Sequence, residues 1–85
     1  MKVTLRFFAS VKEQLGKELE EIELPPGIST VGGLRAHLRA RGGRWAEVLA
    51  ETRRVSAAVN QDMVKPGAPI KPGDEVAFFP PVTGG

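Results

Sequence analysis

Asp74-Glu75-Val76-Ala77-Phe78-Phe79-Pro80-Pro81-Val82-Thr83-Gly84-Gly85 is an apolar strand that runs through two prolines into a bare diglycine. Successive strand residues point to opposite faces, so Val76 and Phe78 look one way and Ala77 and Phe79 the other. The prolines hold φ near the extended range and carry no N–H to continue the sheet. The two glycines lack Cβ atoms, so another protein can close around their backbone. A carboxylate at Gly85 is ionised at neutral pH and is a poor electrophile until it is activated. The expectation is a folded unit over residues 1–79 and an extended tail over 80–85 that serves as a substrate for another enzyme. At about 3.3–3.6 Å per residue the tail reaches roughly 20 Å.

The strand begins to look like part of a sheet when the N-terminal segment is set beside it. Val3, Leu5 and Phe7 alternate with Thr4, Arg6 and Phe8, which places the two sets on opposite faces. Residues 18 to 24 alternate again, with Ile22 and Leu24 inward and Glu21 and Glu23 outward, until Pro25-Pro26-Gly27 breaks the pattern. Residues 55 to 60 read as a strand, with Val55, Ala57 and Val59 on one face. Asn60-Gln61-Asp62 reads as a turn into a short return strand at Met63-Val64. Helical spacing covers Ala9 to Leu15, stopped by Gly16, and a stretch from Ser29 or Thr30 to about Arg41 with Val31, Leu34 and Leu38 as its stripe. A further short helix is expected over Arg44 to Ala50, with Trp45, Val48 and Leu49 inward. Strands and helices in this order give an α+β layout, a mixed sheet with helices on one face.

Composition narrows the chemistry. With 85 residues the chain is one domain with a small core, too small to house a deep active site as well. It has no cysteine and one histidine, so neither a thiolate metal site nor a catalytic thiol is available. The net charge of +2, with both signs interspersed, is not a nucleic-acid footprint. No apolar run is long enough for a membrane span, and a cytoplasmic location is the expectation. Glu18, Glu20, Glu21 and Glu23 read as a solvated face, His37 as a boundary residue, and Trp45 as core. Arg35, Arg39, Arg41, Arg44, Arg53 and Arg54 read as solvated positions. No catalytic constellation, phosphate-cradling loop or zinc spacing is present.

The block from Asp74 to Gly85 closely resembles the C-terminus of molybdopterin synthase small subunits, members of the sulfur-carrier family that shares the ubiquitin-like β-grasp fold. The resemblance extends to Val3-Thr4-Leu5-Arg6-Phe7-Phe8-Ala9, Arg44-Trp45-Ala46 and Ala58-Val59-Asn60-Gln61. The segment from Lys17 to Pro26 and the pair Gly32-Gly33 are less typical. The resemblance implies a non-catalytic sulfur-donor subunit that binds no cofactor or metal itself. An E1-like adenylyltransferase, using ATP, would activate Gly85 as an acyl-adenylate, and a sulfurtransferase system would convert it to a thiocarboxylate. Gly84, Thr83, Val82, Pro81 and Pro80 would thread into the large synthase subunit, where the sulfur reaches cyclic pyranopterin monophosphate. Two carriers on a dimer of large subunits, with neither nucleic acid nor membrane as a partner, is the implied assembly.

In a β-grasp sheet the first and last strands are neighbours. Phe8 and Phe79 would then form one exposed aromatic patch at the base of the tail, extended by Met63, as a surface for partner docking. Related carriers feed thiamine thiazole synthesis or tRNA thiolation, and a third class is conjugated to lysines as a protein modifier. The Arg-Trp-Ala helix and the Phe-Phe-Pro-Pro run favour the molybdopterin branch.

Overall fold

Val3, Leu5 and Phe7 are almost wholly buried, and the alternation that predicted it builds the first strand, β1 (Lys2–Phe7). The structure is a computed structural model that describes residues 1 to 81; the tail positions Val82, Thr83, Gly84 and Gly85 lie outside the described residues. Helix α1 (Ala9–Leu15) follows, then β2 (Leu19–Glu23), α2 (Val31–Arg39), α3 (Gly43–Val48), β3 (Ser56–Val59), β4 (Asp62–Val64) and β5 (Glu75–Phe79). The strands lie side by side in the order β2-β1-β5-β3-β4. β1 pairs parallel with β5, and every other neighbouring pair is antiparallel.

The core lies between one face of this sheet and the helices. Val31, Leu34 and Leu38 form the buried stripe of α2, as their spacing predicts. They pack in one cluster with Leu5, Phe7, Ile22, Leu24, Leu49, Val76 and Phe78. Phe7 stacks on Phe78 with ring centroids 6.2 Å apart and meets the edge of Trp45 at 5.5 Å. The three rings fix how the sheet's centre meets α3. Gly16 ends α1 at φ 70, its N–H donating to the Lys12 carbonyl at 2.9 Å, the left-handed stop its position suggests. The Thr30 hydroxyl accepts from Gly33 N–H at 3.0 Å and so caps α2.

Several boundaries differ from those read off the sequence. α2 ends at Arg39 with Ala40 as its cap, short of Arg41. α3 spans Gly43–Val48, leaving Leu49 fully buried just past its end. β3 begins at Ser56, one residue after Val55, and β2 covers only Leu19–Glu23 of the expected 18–24. Helix ends fray and hydrogen bonds, not apolar spacing, set their limits. The small size of Gly32 serves a close approach to the loop before β5. Gly32 N–H donates to the Pro66 carbonyl at 2.8 Å, and a Cβ at that position would stand 3.1 Å from the same oxygen.

Two readings of surface charge are also corrected. Arg35 is not simply solvated. Its guanidinium donates to the carbonyls of Leu49 at 2.9 Å, Ala50 at 2.6 Å and Arg53 at 2.9 Å, closing the chain between α3 and β3. Burial lowers its pKa from the ordinary arginine value. Glu20 is not a free acid on a solvated strand. Arg41 Nη1 donates to it at 2.9 Å and Lys17 Nζ at 3.0 Å, while the Arg41 guanidinium lies 4.5 Å from the centre of the Trp45 ring. Among the described residues no helix is long and apolar enough to cross a membrane.

Candidate docking face and tail exit

The sheet face turned away from the helices is built by parity. On β5, Val76 and Phe78 point into the core, which leaves Ala77 and Phe79 on the other side. The pairing of β1 with β5 sets Arg6 beside Ala77, and Phe8 N–H donates to the Phe78 carbonyl at 3.2 Å as β1 turns into α1. β3 brings Ala58 beside Ala77, and β4 brings Met63 beside Ala58. With Leu19 of β2 opposite Arg6, one row crosses all five strands: Leu19, Arg6, Ala77, Ala58, Met63. At about 4.8 Å per strand it spans about 19 Å.

The centre of this row is low and its sides are high. Ala77 and Ala58 are buried yet belong to no part of the helix-side core, because the larger side chains around them shield them. Arg6, Phe8, Gln61, Met63, Glu75 and Phe79 stand around them and enclose an open depression of about 480 Å³. Phe8 is 41% exposed and Met63 63%, both high for such large apolar side chains. Phe79 is half-buried, tucked into the wall. Pro80 is half-buried and Pro81 exposed, so the chain leaves the sheet at the rim of this depression.

The structure therefore brings Phe8, Met63 and Phe79 to one depression and puts Pro80 and Pro81 next to it. It also adds residues that sequence reasoning did not single out. Arg6 and Glu75 were legible in principle, since each shares strand parity with an aromatic ring of the patch. Leu19, 54% exposed, has the opposite parity to Ile22 and carried the same signal. Gln61 had none, because only the hairpin geometry carries it there.

The face is sparsely charged. Arg6 Nη1 lies 3.7 Å from Glu75 Oε2, and the Arg6 guanidinium is 5.5 Å from the centre of the Phe8 ring. At the far end of β5, Asp74 accepts from Asn60 Nδ2 at 3.0 Å and from Lys71 N–H at 2.8 Å, and these bonds lower its pKa below the usual carboxylate range. Among the described residues no group of three or more His, Cys, Asp or Glu is arranged to hold a metal. A second hollow, of about 290 Å³, lies between α1 and α3 against Gln14, Arg44, Glu47, Val48 and Arg53 and contains no nucleophile–base pair.

Comparison with known proteins agrees. A family model described as the ThiS family matches residues 5–85. The molybdopterin synthase sulfur carrier subunit of Escherichia coli strain K12 is 46% identical over 83 residues, covering 98% of this chain and 99% of that one. A putative molybdopterin converting factor subunit 1 from Pyrococcus furiosus superposes with a TM-score of 0.78 at 32% identity, over 96% of this chain and 99% of the other. A chain of the Helicobacter pylori complex of molybdopterin-converting factor subunits 1 and 2 superposes with a TM-score of 0.67 at 29% identity, covering 100% of both chains. The fold, the match along nearly the whole chain and the kind of relatives coincide: the chain belongs to the ThiS family of ubiquitin-like β-grasp sulfur carriers.

Proposed function

We propose that this chain is the sulfur carrier subunit of a molybdopterin synthase, with residues 1–79 as the docking domain and residues 80–85 as the tail that carries sulfur at Gly85. The observation that carries the reading is the position of the Phe8, Met63 and Phe79 depression at the point where Pro80 leaves the sheet. A partner seated on that depression has the start of the tail at its edge. Its active site then needs to lie only as far away as the tail is long, about 20 Å.

The chemistry follows from the properties of a terminal carboxylate. An E1-like adenylyltransferase spends ATP to join the Gly85 carboxylate to AMP, releasing pyrophosphate. A sulfurtransferase supplies a sulfur nucleophile that displaces AMP and leaves a thiocarboxylate. In the large subunit the thiocarboxylate sulfur attacks a side-chain carbon of cyclic pyranopterin monophosphate as a carbon–oxygen bond there breaks and the oxygen departs, and hydrolysis of the resulting thioester leaves the sulfur on the pterin and returns the Gly85 carboxylate. The chain contributes the sulfur and its delivery, and the large subunit contributes the catalytic groups. Proline and valine keep the stalk extended, and two glycines keep its end thin. The proposed assembly is two carriers on a dimer of large subunits, in the cytoplasm.

The test is the intact mass of the protein isolated from its native cells under sulfur-replete conditions. The reading expects a fraction whose C-terminal residue is Gly85 and in which one oxygen is replaced by sulfur. Gly85 joined instead to lysine ε-amines of other proteins would identify a modifier and overturn it.

A further inference from the structure

We infer that Arg6 is a specificity-determining residue of the docking face, and that the partner covering the depression brings an acidic side chain to it. The inference rests on the proposed docking reading, and goes beyond it in assigning a charge requirement to a surface whose other walls are mostly aromatic, thioether and alanine groups, with Gln61 and Glu75.

Arg6 is the penultimate residue of β1, and on the open face it lies between Leu19 and Ala77 in the row that crosses the sheet. It is a wall of the depression, so a partner that reaches Phe8 and Phe79 also covers Arg6. Its guanidinium is then taken out of water, and a buried charge needs a counter-charge and acceptors.

The described residues supply too little of either. A guanidinium has five N–H donors. Among the described residues the Arg6 guanidinium makes no hydrogen bond, and its Nε is shut off from solvent without an acceptor. Its ionic neighbour among the described residues, Glu75, sits one rung away on β5, opposite Thr4, and approaches only to 3.7 Å. That distance is too long for a charge-assisted hydrogen bond, which runs to about 2.9 Å. An apolar cover over this arrangement would strand several donors. A carboxylate from the partner matches the planar fork bidentately and satisfies two at once. The Phe8 ring, 5.5 Å away, braces the guanidinium beside the most exposed aromatic of the patch, so the charge and the apolar anchor reach the partner together.

The test is a binding titration of the folded full-length chain against the large synthase subunit from the same organism. Thermal unfolding of each variant is measured alongside. Arg6→Leu keeps the bulk of the stem and removes the charge; it is expected to weaken binding on the order of tenfold or more. Arg6→Glu is expected to weaken it further, and Arg6→Lys to recover part of the loss. Raising the salt concentration should weaken the wild type more than Arg6→Leu. A scan of the partner's Asp and Glu residues to Lys should contain one that restores binding to Arg6→Glu. Arg6→Leu binding as tightly as wild type, while Phe79→Asp binds weakly, overturns the inference and leaves the docking face standing. If neither variant weakens binding, the docking reading itself fails and takes the inference with it.

Discussion

Phe79 shows how much one side chain's direction matters. It is adjacent in sequence to Phe78, which is 1% exposed and stacked on Phe7, yet it belongs to the opposite face of the sheet and lines the open depression. Phe79→Asp is expected to leave the domain folded and to weaken binding to the large subunit by more than tenfold. A carboxylate without a partner in an apolar contact costs at least about 2 kcal/mol. Calorimetric titration and thermal unfolding of the same variant separate the two effects. A variant that unfolds but binds normally once refolded would place Phe79 in the core. Glu20 makes a second case at this scale. Hydrogen bonds from Arg41, then from Lys17, lower its pKa from 4.5 to about 2, against the opposing effect of burial. A carboxyl with a depressed pKa in the folded state stabilises fully above its unfolded value. That stability is lost as pH falls through the folded one. The wild type should therefore lose thermal stability between about pH 4.5 and pH 2 more steeply than Glu20→Gln. Parallel curves in that window would show that the pair contributes nothing.

The hairpin from β3 to β4 holds two adjacent non-glycine residues at positive φ. Val59 pairs with Asp62, leaving Asn60 and Gln61 as a two-residue loop with φ 50 and 73. Positive φ at both central positions is the type I′ turn that suits the twist of paired strands. Asparagine tolerates it, and here Asn60 also accepts from Glu75 N–H at 3.0 Å and donates to Asp74, tying the turn to the start of β5. Glutamine gains no such compensation from its backbone conformation. Gln61→Gly should stabilise the domain by about 0.5–1 kcal/mol, read as a higher midpoint in urea with an unchanged slope. A lower midpoint would mean that the Gln61 side chain at the rim of the depression contributes more than the strain costs. The turn itself was legible from Asn60-Gln61-Asp62. The helix and strand limits were less so: apolar spacing predicts a buried face, while the last hydrogen bond of an element depends on what the following loop can reach.

At the scale of the whole molecule the design separates recognition from chemistry. The sheet's helix side holds the domain together and its open side is the proposed docking face, while the proposed reaction occurs at the end of a tail beyond both. Adding one residue after Gly85 should therefore leave the fold and docking unchanged and abolish sulfur transfer. The reactive carbonyl moves by about 3.3–3.6 Å, and a misplacement of about 1 Å alone costs on the order of 100-fold in rate. Acyl-adenylate formation and pterin dithiolene production are the measurements, with circular dichroism and partner binding as controls. Normal sulfur donation by the extended chain, with the extra residue still attached, would exclude Gly85 as the carrier.

By itself the sequence determined which faces are apolar, because strand and helix periods are local: Val3, Leu5 and Phe7, then Val31, Leu34 and Leu38, then Val76 and Phe78 all point to the core as their spacing requires. It also determined that Phe8 and Phe79 point away from it. That these two rings line one depression was not local information. It depends on β1 and β5 lying side by side across most of the chain length, which the family resemblance implied and the sheet pairing displays. Only the tertiary structure distinguished the arginines. Arg35, Arg41 and Arg6 look alike in a list of residues, yet one closes a loop through three carbonyls, one clamps Glu20 over Trp45, and one stands on the open face without a hydrogen bond among the described residues. A charged side chain's role is set by the acceptors within its reach, and those come from segments far away in the chain.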